Sequence, residues 1–387
     1  MKRTSVKKSD SKPGFWLRLR RVTLFALVAF IVGIAGSLAY SAVSAVKFSG
    51  GTASTTPLKA ADPWPLPLDT KAYDMKLLAL AHVATSSPWY WSYLAGTTTP
   101  LTPEGQATTT DTRRPLWPIR AAYPHGGALL PQNRILAYYG NFYSKGMGIL
   151  GEYPENEVLA KLLAEKARWE AADPSTPVVL AIEYIDVTAQ AAGGKDGKYR
   201  LRMPDSQIDK AIAMAKKVDG IVVLDIQVGL STIPDELPLL DAYLKMPQVH
   251  LALDPEFAMH GGTPPGRVIG SLDATDINYA INYLAKIVNE YHLPPKILLI
   301  HRFTEDMVTH ANRIKPLPEV QVVMQMDGWG FPAKKINTYN TVVYSEPVQF
   351  TGFKLFYKND LKQQPGRLLT PQEVLKLTPA PIYIQYQ

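Results

Sequence analysis

Two carboxylates flank a proline at Asp254-Pro255-Glu256, and a third, Asp327, stands directly ahead of Gly328-Trp329. Alternation along an extended chain points Asp254 and Glu256 to one face if a strand runs that far, and Pro255 restricts the backbone between them. Gly328 frees the loop after Asp327, and Trp329 offers an apolar platform. Carboxyl groups facing each other across a cleft beside an aromatic ring suit glycosidic-bond cleavage. One acid protonates the leaving oxygen, a base or nucleophile stands opposite, and a sugar stacks on the ring. Asp254, Glu256 and Asp327 are therefore the candidate catalytic residues. The competing reading has the same carboxylates anchoring loops through backbone N–H groups, with no turnover.

A wider set of polar residues follows apolar runs and is expected to bind substrate: Tyr139, Glu183, Asp225, Gln227, His301, Trp329 and Lys354. An ionisable group is costly right after a buried run, which favours function over scaffold for the set. His301 follows Lys-Ile-Leu-Leu-Ile and has three readings: general base, metal ligand or hydrogen-bonded structural residue. A metal-dependent hydrolase would combine it with Glu183, Asp225, Asp254 and Asp327. No HxH or HExxH spacing supports that, so no metal is assigned, and His260 and His310 fall in loops or helices. Lys354, in GFKLFY, could form a Schiff base but is better read as the partner of one of these carboxylates. Without a GxSxG motif a serine nucleophile is not favoured.

These residues need elements to hold them. From about residue 119, short runs of high β-propensity alternate with helical periodicity, the pattern of parallel strands with crossover helices. Strands are expected at 134–140, 178–184, 220–226, 249–254, 296–301, 320–326, 352–356 and 382–386. Helices are expected at 155–171, 205–217, 235–245, 274–291 and 305–314, with shorter ones near 332–340 and 371–377. Eight strands between residues 119 and 387 match a (β/α)8 TIM-type barrel, typically about 250 residues. Its active site lies at the C-terminal strand ends, where the candidates fall. An open doubly wound sheet is the rival, but no GxGxxG follows the first strand and no phosphate-binding loop occurs, so no cofactor is expected. Residues 267–272 could add a ninth strand or a hairpin. Insertions at 186–203 and 256–274 would rim the mouth, and their basic residues suit an anionic polysaccharide or simply solvent.

The 387 residues include 41 Lys+Arg and 34 Asp+Glu, 46% hydrophobic residues and no Cys, which excludes a disulfide framework, a Cys-based zinc site and a thiol nucleophile. Residues 1–21 hold Lys2, Arg3, Lys7, Lys8, Lys12, Arg18, Arg20 and Arg21 against Asp10 alone. Taking those eight and one from 41 and 34 leaves 33 of each sign, so the net charge of +7 belongs to the tail. The neutral remainder lacks the clustered basic surplus that nucleic-acid binding needs. Val22 to Val46 is a stretch of 25 residues without a charge, long enough to span a bilayer. The basic tail then stays in the cytoplasm and the rest lies outside. A cleaved signal peptide ending near Val43-Ser44-Ala45 is the rival, but the apolar run exceeds the usual signal core of about 7–15 residues. The expected organisation is a basic tail (1–21), a transmembrane signal-anchor (22–46), a Thr/Pro-rich stalk with one short helix (47–118) and the barrel (119–387). A cell-membrane, single-pass protein follows, with its C-terminal domain extracytoplasmic.

The strings YYGNFYSKGMGILGEY, LDIQVGLS, LALDPEF, LIHRF, MQMDGWG, GFKLFY and LTPQEVLKLTPAPIYIQYQ, in order over about 130–387, carry a resemblance. The chain resembles an uncharacterised family of bacterial secreted, lipoprotein-like or membrane-anchored (β/α)8-barrel domains whose fold is like that of sugar hydrolases. The resemblance implies the barrel and leaves activity open. Related members often carry a Ser-Gly-Arg-Ser type stretch after the third-strand Asp, where this chain reads Val228-Gly229-Leu230-Ser231. Many relatives are lipid-anchored or joined to wall-binding modules, in place of a transmembrane segment. The expected function is glycoside-hydrolase-like action on envelope polysaccharide, with cell-wall carbohydrate and the membrane as partners. The alternatives are a non-catalytic glycan-binding or envelope-scaffold domain and a metal-dependent hydrolase.

Overall fold

The structure, a computed structural model, describes residues 64–109 and 113–387. The basic tail, the apolar segment 22–46 and the first part of the stalk lie outside the described residues. Among the described residues no helix is long and apolar enough to cross a membrane.

Eight parallel strands close into a barrel: β1 (Arg134–Gly140), β2 (Val178–Ala189), β3 (Ile221–Ile226), β4 (Val249–Leu253), β5 (Lys296–Arg302), β6 (Val320–Met326), β7 (Phe350–Leu355) and β8 (Tyr383–Tyr386). Closure is explicit, because β1 pairs with β2 on one side and with β8 on the other. Closing the sheet leaves no exposed edge and gives every strand an inner and an outer face. The outer face, with Leu136, Leu180, Leu224, Leu251 and Leu298, packs under the helices. The inner face divides by depth. Toward the strand N-termini Ile135, Ala137, Ala181, Ile221, Val223, Ile297, Leu299 and Val323 form an apolar core. Further up it becomes polar and still buried, with Tyr139, Glu183, Asp225, His301, Gln325, Lys354 and Gln385.

The base of the barrel is covered by the stretch read as a stalk. Its described part forms two helices rather than one, α1 (Thr70–Leu80) and α2 (Pro88–Leu94), capped by Asp69 and Ser87. Tyr73, Leu77, Leu78, Leu80, Tyr90 and Tyr93 belong to the same cluster as the lower barrel interior. Ala380 N–H donates to Leu80 O at 2.7 Å, and the Trp117 indole donates to Tyr344 O at 2.9 Å. The low hydrophobic content of the flanking Thr/Pro tracts concealed an apolar face that shields the open end of the barrel from water.

Around the outside, α3 (Glu155–Ala172) starts after Pro154 with Glu155 and Glu157 in its first turn and buries Val158, Leu162 and Trp169. The helix α4 (Asp205–Lys216) follows Pro204, and α5 (Ala274–Tyr291) opens with an Asp273/Asp276 capping box. Pro332 takes the first turn of α6 (Pro332–Tyr339).

Three expectations are corrected. The segment 235–245 is not one helix but short α and 3-10 pieces around Pro238, whose ring disrupts the helical hydrogen-bond ladder. The segment 305–314 is not helical. Val308–Thr309 pairs with Leu272–Asp273 as a two-residue strand between 3-10 turns, with His310 left-handed at φ 53°. The third strand pairs through Ile226, but β2 runs five residues past Tyr184 and then returns antiparallel at Arg200–Arg202. In that insertion Arg200 and Arg202 both pair with the buried Glu236, at 2.7 and 2.6 Å, so these guanidinium groups clamp the rim.

Because Leu78 is only 1% exposed at the base, Leu78→Ala is expected to lower the unfolding free energy by about 2–5 kcal/mol, as core truncations do. Urea denaturation of the full chain tests this. An unchanged midpoint would mean that the helix is not part of the core.

Candidate active site

At the C-terminal mouth lies a cavity of about 560 Å³, lined among others by Tyr139, Gln227, Asp254, Glu256, Asp327, Trp329 and Lys354. All three candidate catalytic residues reach it. They do so by a different local geometry from the one expected. The strand β4 ends at Leu253, and Pro255–Phe257 turns into a 3-10 helix whose cap is Asp254. Asp254 Oδ1 accepts the Glu256 N–H at 3.2 Å, and Oδ2 accepts Gln227 Nε2–H at 3.1 Å. Asp254 therefore anchors its loop as well as facing the cavity.

Asp327 follows β6, held by its N–H on Arg302 O at 2.9 Å. Its two oxygens meet two cationic side chains, Lys354 Nζ at 2.9 Å from Oδ1 and His301 Nδ1 at 3.1 Å from Oδ2. Lys354 thus has the carboxylate partner its odd position suggested, and its ammonium also sits 3.9 Å from the centre of the Tyr139 ring. The loop beyond Asp327 is pinned from behind. Lys335 Nζ donates to Gly328 O at 2.8 Å and pairs with buried Asp360, which accepts the Gly330 N–H at 2.9 Å. Trp329, 40% exposed, faces the cavity, with Lys334 Nζ 4.9 Å from its ring centre.

Glu183, Asp225 and His301 are brought together but do not line the cavity. They lie beneath its floor, all fully buried. His301 Nε2 is 3.2 Å from Glu183 Oε1 and 3.9 Å from Asp225 Oδ2. The phenol of Tyr383 donates to Glu183 Oε2 at 2.7 Å, and that of Tyr139 to Asp225 Oδ2 at 2.9 Å. These three are the group that could hold a metal ion among the described residues. Sequence reading missed Tyr383 and the apolar cavity wall of Met147, Phe257, Phe303 and Phe356. Phe303 was visible in principle, since it follows the His301-Arg302 strand end. Met147 arrives through Gly148, whose φ of 140° and close approach to Tyr139 O exclude a side chain.

The carboxyl groups differ in proton affinity. Burial alone would raise Asp327, but Lys354 and His301 hold it below its ordinary value. Burial and then the Asp327 charge raise Glu256 from 4.5 to about 7. Burial raises Asp225 to about 6 and Asp254 well above the carboxylate range, each against the pull of His301. Burial works against a charged His301, yet Asp327 and Glu183 on its two nitrogens keep it protonated well above its usual range. The cavity therefore holds one ionised carboxylate, Asp327, beside two carboxyl groups whose proton affinity is raised, Glu256 and Asp254, of which Asp254 is tied into its own loop. Environments that push two carboxyls apart in this way separate the acid from the base.

No protein-family model and no curated protein matches the chain. Solved structures similar to it include the Bacillus subtilis mannanase man26, at 12% identity and TM-score 0.35, covering 66% of this chain and 79% of that one. The YdhT protein of Bacillus subtilis aligns at 13% identity and TM-score 0.36, over 66% of this chain and 81% of that one. The Bacillus subtilis mannanase BCman gives 12% and 0.33, over 67% and 81%. At these values the similarity decides nothing about activity, and the barrel assignment rests on the strand pairing.

Replacing Glu256 by Gln is expected to stabilise the fold in a pH-dependent way. The folded chain keeps the Glu256 proton up to about pH 7 and the unfolded chain releases it near 4.5. Folding stability in the native protein is therefore lost as pH rises through that window. The melting-temperature difference between Glu256→Gln and wild type should grow from pH 4.5 to 7 and level off above, reaching a few degrees. A flat difference would mean that Glu256 is not held protonated.

Proposed function

We propose that this protein is a glycoside hydrolase acting on envelope polysaccharide from a membrane-anchored, extracytoplasmic barrel. The observation that carries this reading is the pairing, across one cavity at the strand C-termini, of ionised Asp327 with protonated Glu256, beside the exposed face of Trp329. Glu256 donates its proton to the leaving glycosidic oxygen, while Asp327 attacks the anomeric carbon or activates water there. Lys354 and His301 keep Asp327 charged and oriented. Gln227, Tyr139 and Trp329 contact the sugar, the last by stacking. Asp254, protonated and tied into its own loop, holds Glu256 in place. The anchor and the extracytoplasmic location rest on the charge-free segment 22–46 and its basic flank.

A second reading, a non-catalytic glycan-binding domain, draws on the loop-capping role of Asp254, which a scaffold would also need.

The test is mass spectrometry of soluble sugars released when the full chain is incubated with cell-wall polysaccharide. Wild type should release fragments, and Asp327→Asn and Glu256→Gln should each slow release by about 10²–10⁴-fold. Release should also fall as pH rises through about 7, where Glu256 loses its proton, and Glu256→Gln should abolish that limb. Co-sedimentation with the wall but no release by wild type would overturn the enzyme and leave the binding domain.

A further inference from the structure

We propose that Glu183, Asp225 and His301 hold a divalent transition-metal ion, Zn²⁺ or Mn²⁺, beneath the floor of the cavity. The ligand atoms, one from each residue, lie within 4.8 Å of one another, and all three side chains are fully buried. The distances from His301 Nε2, 3.2 Å to Glu183 Oε1 and 3.9 Å to Asp225 Oδ2, suit a shared ion. Metal–nitrogen and metal–oxygen bonds of about 2.0–2.2 Å put neighbouring ligands about 3–4 Å apart. One imidazole and two carboxylates make a borderline donor set, which favours Zn²⁺ or Mn²⁺ over the all-oxygen cages of Ca²⁺.

The surroundings match what ligands of an ion require. Tyr383 and Tyr139 donate hydroxyls to the two carboxylates, and the far nitrogen of His301 faces Asp327 at 3.1 Å. A carboxylate behind a ligating imidazole fixes its tautomer and raises its basicity. With the ion bound, Nδ1–H donates to Asp327, and the ion takes the place of the proton that Nε2 otherwise carries toward Glu183.

Independent observations also point to a missing partner. Asp225 Oδ1 is buried without a hydrogen bond, and both amide atoms of Gln325 and of Gln385 are in the same state. Gln325 is the registered neighbour of His301 on β6, on the inward face it shares with Val323. Gly352 leaves room for its amide, since a Cβ there would stand 2.7 Å from Gln325 Oε1.

This centre differs from that of a metal-dependent hydrolase. None of its ligands lines the cavity, so the ion presents no coordination position to substrate. It would act through His301, fixing the ring whose Nδ1 stands 3.1 Å from Asp327 Oδ2. The inference does not rest on glycan turnover.

The experiment is elemental analysis of the tag-free full chain, purified in detergent and dialysed, with thermal unfolding before and after chelation. About one Zn²⁺ or Mn²⁺ per chain is expected, together with a melting temperature that falls on chelation and recovers when either ion is returned. The double variant Glu183→Gln, Asp225→Asn should lose the ion. No ion above background, with no thermal shift on adding Zn²⁺, Mn²⁺ or Co²⁺, would overturn the proposal. So would an ion retained by a folded double variant. If that variant fails to fold, the wild-type metal content and chelation response decide alone.

Discussion

The upper barrel depends on the electrostatic clamp Lys354–Asp327–His301. A carboxylate 7% exposed would ordinarily take up a proton, and Asp327 keeps its charge because a cation stands against each oxygen. Each partner comes from a different strand or strand end, β5, β6 and β7, so the ion pairs also fix how neighbouring strands present their ends. Burial raises Glu256 first, and among the charges around it Asp327 raises it most. Removing one member would leave uncompensated charge in the barrel, which is costlier than the absence of the whole network.

A polar upper interior of this kind needs a sound apolar base. The helices α1 and α2 supply it by closing the open end, where inward side chains alone would leave the lower core facing water. The helices α1 and α2 therefore belong to the barrel's hydrophobic core rather than to a spacer. Leu80 and Trp117 tie this part of the chain to the barrel through hydrogen bonds, Leu80 O accepting from Ala380 N–H and the Trp117 indole donating to Tyr344 O.

The strands were legible because buried parallel strands read as unbroken apolar runs, and all eight fall where those runs lie. Strand-end polarity also picked out Asp254, Glu256, Asp327, Trp329 and Lys354 at the cavity. Depth was not legible. Glu183 looked like a strand end because the apolar run reads as stopping at Tyr184, yet β2 continues to Ala189 and places Glu183 in the middle of the strand, beneath the floor. Asp225 and Gln227 are two residues apart, and only Gln227 reaches the cavity. That layer boundary depends on the stagger between strands, which a single strand does not encode. The broken segment at 235–245 carried its own warning in Pro238. The loss of helix at 305–314 did not, because it depends on Val308–Thr309 finding a distant partner at Leu272–Asp273.

The hairpin that prolongs β2 is attached to the barrel differently from the residues beneath it. Its return strand pairs only with β2 and is pinned by Arg200 and Arg202 on Glu236. None of residues 190–203 lines the cavity, so this part of the rim can be lengthened, shortened or exchanged without altering the cavity lining, provided the Glu236 charge keeps a partner. The outline of the rim and the chemistry of the buried carboxylates are thus separable in this architecture.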